Sequence, residues 1–101
     1  MAELDRIRTK TAPYDAAEYL KTPEQMAAYL EAALEEGDPR LIAKALGNIA
    51  RARGMSQLAK DTGLTREALY TSLSESGNPT LTTLLKVTTA LGIQLKAAAS
   101  V

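Results

Sequence analysis

At 101 residues and a formal net charge of zero, the chain has room for one domain and one modest core, and its total charge argues at first against a polyanionic partner. Apolar residues make up 46% of it, yet Phe and Trp are absent, so the core must come from Leu, Ile, Ala and Met, which suits packed helices better than a sandwich. Cys and His are absent too, which excludes disulfides, thiolate- or His-bound metal and Ser-His or Cys-His nucleophilic chemistry within the chain. Neither enzyme activity nor a cofactor is expected. With no apolar run near ~18 residues and no secretory h-region, the expectation is a cytoplasmic protein with no membrane span.

Residues 1–13 show no helical periodicity and end at Pro13, as an extended arm would. Asp15 can cap a short helix through Leu20. Thr22-Pro23-Glu24-Gln25 predicts a firm helix start, with Thr as cap, Pro in the first helical position and Gln completing a capping box. That helix should run to Glu36, stop at Gly37 and turn Met26, Leu30, Ala33 and Leu34 inward. Asp38 and Pro39 open the next, which runs to about Arg53 with Ile42, Ala45, Leu46 and Ile49 as its buried stripe. Arg51 and Arg53 then sit in its last turn, where the helix dipole favours cations.

Ser56 is the expected cap of a short helix ending at Thr62-Gly63-Leu64, and Thr65 caps another that ends near Leu73 or Ser74. Glu75–Pro79 reads as a loop. Thr80 caps a last helix through Leu91, with Leu81, Leu84, Leu85, Thr88 and Leu91 inward and Gly92 ending it. Ile93–Lys96 alternates apolar and polar, as a short strand or an extended tail would, and residues 97–101 form a tail. Six helices result, two of them very short. The expected division is an arm (1–13), an acidic helical extension packed on the core (14–37), a helical domain (38–96) and the tail.

The two short helices carry the strongest signal. Ala59 sits four residues before Gly63, where they must approach closely, and Gly63 can take the positive φ that stops the first sharply. Leu64 and Leu69 point into a core. This is the layout of a helix-turn-helix, whose second helix enters the major groove of DNA. The charge distribution agrees. Residues 1–13 carry a net of +1, residues 14–38 a net of −6 and residues 39–101 a net of +5, so the motif lies in the basic part. Chance segregation of solvated helix faces would give the same pattern.

The region from Asp38 to Leu95, above all Leu58-Ala-Lys-Asp-Thr-Gly-Leu64, the Gly77-Asn-Pro79 loop and Ala90-Leu-Gly-Ile93, resembles the Xre/Cro-type repressors. The resemblance implies an all-α, lambda-repressor-like helix-turn-helix domain behind an N-terminal helical extension. In one departure, the usual two residues between Ser-Gln and Leu-Ala are missing, because Gln57 abuts Leu58. The first motif helix is therefore shorter than usual, and Gln57 need not occupy the place of the pattern's phosphate-binding Gln. A resemblance over nearly the whole chain rests on Tyr14-Asp-Ala-Ala-Glu-Tyr-Leu-Lys-Thr-Pro-Glu24, Ala28-Tyr-Leu30, Glu36-Gly-Asp38 and Ile49-Ala-Arg-Ala-Arg-Gly-Met55. These segments look like the addiction-module antidote proteins, HigA-like antitoxins of bacterial toxin–antitoxin pairs. That resemblance implies a small RelE/ParE-like toxin as partner and autorepression of a shared operon. The alternative is a stand-alone phage or plasmid-type repressor, and a third reading is an interaction module that kept the fold without binding DNA.

Thr65, Arg66, Glu67, Tyr70 and Thr71 are the candidate base readers, with Arg66 foremost because a guanidinium pairs bidentately with guanine. Glu67 could accept from cytosine or be an ordinary exposed charge, and Tyr70 could instead pack at the domain edge. Arg53, Ser56, Gln57, Lys60, Ser74 and Asn78 are the candidates for the DNA backbone, which positions without specifying. For Lys60 a plain solvated charge fits equally. A homodimer on a double-stranded DNA operator is expected, since one such domain reads only a few base pairs. Its interface could use the arm, the last helix or the tail, with Leu4 and Ile7 pairing with Ile93 and Leu95 as a small sheet. Glu24, Glu31, Glu35 and Glu36 could steer and mask a basic toxin, or simply keep an outer helix solvated.

Overall fold

The computed structural model describes residues 18–100. They form five helices: α1 Pro23–Glu36, α2 Pro39–Arg53, α3 Met55–Thr62, α4 Arg66–Ser72 and α5 Leu81–Leu91. No strand occurs among the described residues, so the architecture is all-α. The arm, the cap at Asp15 and the pairing of Leu4 and Ile7 lie outside the described residues, and Glu18–Leu20 form only a turn.

Four helix starts follow from one device, a side-chain oxygen that accepts an otherwise orphaned backbone N–H. Thr22 Oγ1 accepts from Gln25 N at 3.1 Å, while Gln25 Oε1 accepts from Thr22 N at 3.1 Å, closing the capping box. Asp38 accepts from Arg40 N at 3.0 Å, Thr65 from Ala68 N at 3.0 Å and Thr80 from Thr83 N at 3.1 Å. The fifth start differs from expectation. Gly54, not Ser56, is the cap of α3, and no side chain caps it. Leu58 N already donates to Gly54 O at 3.0 Å, so the helix is under way before Ser56. Met55 is buried as its first residue, and seating that side chain in the core fixes the turn at Gly54.

One core joins all five helices: Met26 and Leu30 from α1, Leu46, Ile49 and Ala50 from α2, Met55 and Leu58 from α3, Leu69 from α4, and Val87 and Leu91 from α5, with Leu20, Leu73 and Ile93 closing its edges. α1 packs on α2, and α3 packs on α2, α4 and α5. A polar pin crosses the first pair, where Asn48 Nδ2 donates to Tyr29 Oη at 2.9 Å. Tyr19 meets the other side of Tyr29 edge to face, with ring centroids 6.0 Å apart.

Three leucines expected inside are exposed: Leu34 at 45%, Leu81 at 69% and Leu85 at 47%. On α1 the face that meets the core is complete with Met26, Leu30 and Ala33, and Leu34 stands one step around the helix. On α5 the inward stripe runs through half-buried Leu84 to buried Val87, Thr88 and Leu91. Leu85 lies beside that stripe and Leu81 in the turn before it. Ile42 is only half-buried, whereas Ala43 and Ala50 join the buried side of α2. Ile93–Lys96 is not a strand; Ile93 docks in the core and the following residues are exposed.

Candidate functional site

α3 and α4 are joined by a turn whose geometry is set by three residues. Gly63 takes φ 76° and donates its N–H to Ala59 O at 2.9 Å, ending α3 in the left-handed region open to glycine. Thr62 is buried, and its hydroxyl donates to Leu58 O at 2.8 Å while accepting from Leu64 N at 3.3 Å. Thr65 then opens α4. Only seven residues long, α4 is too short to be stable alone and is held by packing. Leu69 and Leu73 are buried beneath it, with Leu64 half-buried at its entry.

That anchorage leaves Thr65, Arg66, Glu67, Tyr70 and Thr71 exposed on one short element. The Thr65 hydroxyl accepts the cap bond and keeps its proton to donate. Arg66 stands over the Tyr70 ring with its guanidinium carbon 5.9 Å from the centroid, a cation–π contact that restricts its rotamers. Tyr70, 44% exposed, thus supports Arg66 and is not sunk into the domain edge.

Of the six candidates for backbone contacts, Arg53, Ser56, Gln57, Lys60 and Asn78 are exposed and Ser74 is half-buried. The structure draws two of them together through a residue that sequence reasoning passed over. Asp61 receives a hydrogen bond from Gln57 Nε2 at 2.9 Å and pairs with Arg53 at 3.5 Å. The Gln57 contact has helical i, i+4 spacing and was readable in principle; the Arg53 contact crosses between α2 and α3 and was not. Ser74 turns its hydroxyl to Thr71 O at 3.0 Å, a local bond that closes the end of α4.

The second surface is α1. Glu24, Glu31, Glu35 and Glu36 are all exposed, and none forms an ion pair with another described residue. Glu24 lies in the first turn, where the helix dipole favours it, but Glu35 and Glu36 lie in the last turn, where it does not. The stability of α1 therefore gives no reason for acid at its C-terminal end. Beside Glu36, a groove between α1 and α2 is lined by Ala32, Ala33 and Ala45 together with Lys44 and Arg51. Among the described residues there is no acidic cluster able to hold a metal ion, and no helix is long and apolar enough to cross a membrane.

Comparison with known proteins gives these surfaces a context. The family model of the probable addiction module antidote proteins matches residues 10–99. An uncharacterized protein of Haemophilus influenzae is 49% identical over 83 residues, covering 82% of this chain and 86% of its own length. No solved structure matches the chain. An antidote counteracts a toxin, so a toxin partner of some kind comes with the family. On the extent of these matches, the chain belongs to the family of probable addiction module antidote proteins.

Proposed function

We propose that this antidote is HigA-like, with an Xre/Cro-type, lambda-repressor-like helix-turn-helix in α3 and α4. It acts by binding and not by catalysis, as a cytoplasmic homodimer that represses its own operon and neutralises a RelE/ParE-like toxin. The observation that carries the DNA reading is α4 itself: a seven-residue helix pinned by Leu69 that offers Arg66, Glu67, Tyr70 and Thr71 to solvent. A short helix with one anchored face and one polar face suits insertion into the major groove, where side chains reach base edges. Membership in an antidote family favours the paired system over a stand-alone repressor.

A gel-shift titration against the DNA upstream of the gene, with scrambled duplex as control, tests the reading. Arg66→Ala should cost about 1–3 kcal/mol at one base position and relax specificity there. An equal loss on every sequence would remove Arg66 as a base reader.

The acidic end of α1 supports the toxin-binding half. Reversing Glu31, Glu35 and Glu36 to Lys should abolish toxin capture in a pull-down while leaving operator binding intact, because like charges then face a basic partner. Toxin affinity unchanged from wild type would show that these glutamates serve only to solvate the helix.

A further inference from the structure

We propose that Asp61 is a built-in brake on the DNA grip of this chain, acting by occupying and neutralising Arg53. The proposal rests on the DNA-binding reading and deepens it. Three observations carry it. Asp61 ties up two of the candidate phosphate contacts at once, Arg53 at 3.5 Å and Gln57 at 2.9 Å. The ion pair is only partly screened, its side chains being 37% and 33% exposed, so from a distance the carboxylate largely cancels the Arg53 charge. And Asp61 occupies the last turn of α3, where the helix dipole opposes an acid.

Duplex DNA is bound chiefly by exchanging condensed counterions for protein cations, each phosphate contact steepening the salt dependence by about 0.9. A cation already paired with a carboxylate releases less when it meets a phosphate, because the phosphate must displace or tolerate that carboxylate. Arg53 therefore contributes only part of a contact while Asp61 is charged. The consequence falls first on random duplex, which is held by backbone contacts alone. For a regulator that must leave random DNA to find one operator, a weakened backbone grip shortens the time spent on wrong sites.

The test is Asp61→Asn, which keeps the side-chain shape and an oxygen for Gln57 and removes the charge. Affinity for random duplex should rise roughly three- to tenfold at about 0.1 M salt, with the salt slope steeper by a fraction of the roughly 0.9 that a whole phosphate contact supplies. In an Arg53→Ala background the gain should fall to less than half, as a double-mutant cycle reads directly. Thermal melts of all four proteins show whether each is folded at the titration temperature. Weaker binding to every duplex with an unchanged slope would make Asp61 a positioning residue for Arg53 and Gln57 and overturn the brake. So would an equal gain in both backgrounds, or no gain. Failure of the wild-type chain to bind any duplex at low salt would instead remove the DNA reading, and this inference with it.

Discussion

Gly47→Ala is expected to destabilise the protein by about 2 kcal/mol, although alanine is the better helix former by about 1 kcal/mol. Gly47 lies in the interior of α2 and is buried. A Cβ built on it would strike the Leu73 carbonyl, part of the backbone that ends α4. A flexible side chain could swing away from such a contact, but a main-chain carbonyl can move only with its helix. Overpacking of this kind costs about 1–3 kcal/mol, sometimes more, and outweighs the propensity gain. Since a 60–100-residue domain loses roughly 4–8 °C of Tm per kcal/mol, a melting curve should fall by about 10 °C. A rise in Tm would mean that α4 slides away from α2 at no cost. A smaller fall together with loss of the proposed operator binding would show that α4 shifts as a unit and takes Arg66 and Tyr70 with it.

Leu69→Ala should cost more, about 2–5 kcal/mol, the range for emptying a leucine site in a packed core. Leu69 is fully buried and is the one buried residue within α4. A helix of seven residues has little stability of its own, so this side chain is what converts the Thr65 cap into a lasting structure. Urea unfolding should show a lower midpoint. On the proposed DNA-binding reading, duplex binding at low temperature, where the fold survives, should weaken beyond what the unfolded fraction explains, because α4 frays locally. Intact binding at full occupancy would mean that Leu73 and the cap at Thr65 suffice to hold the exposed face of α4.

What could be read in advance followed the range of the forces involved. Thr22, Asp38, Thr65 and Thr80 were legible as caps because each bonds an N–H within three residues along the chain. The glycine stops at Gly37, Gly63 and Gly92 are local in the same way, each holding a left-handed φ. Misreadings arose where distant residues decide. Gly54 displaced Ser56 as the cap of α3 because Met55 had to reach a core assembled from other helices. On the Leu-rich α5, several stripes satisfy helical spacing, and only the positions of α3 and its neighbours choose the one containing Val87 over the one containing Leu81 and Leu85. The exposed candidates on α4 were identifiable because Leu69 and Leu73 fix the buried side, whereas the Arg53–Asp61 pair depends on how two helices cross. Gly47 draws no notice in the sequence, because what it must clear, the end of α4, is far along the chain.

The aromatic inventory has an optical consequence. With no tryptophan and four tyrosines, all intrinsic emission of the chain comes from phenol rings. One of them, Tyr70, lies under the Arg66 guanidinium on α4, and another, Tyr29, is hydrogen-bonded to Asn48 at the junction of α1 and α2. The difference in emission between the wild type and a Tyr70→Phe variant therefore isolates the α4 signal from that of the other three tyrosines without any attached dye. Changes at α4 become readable in real time on the unlabelled protein.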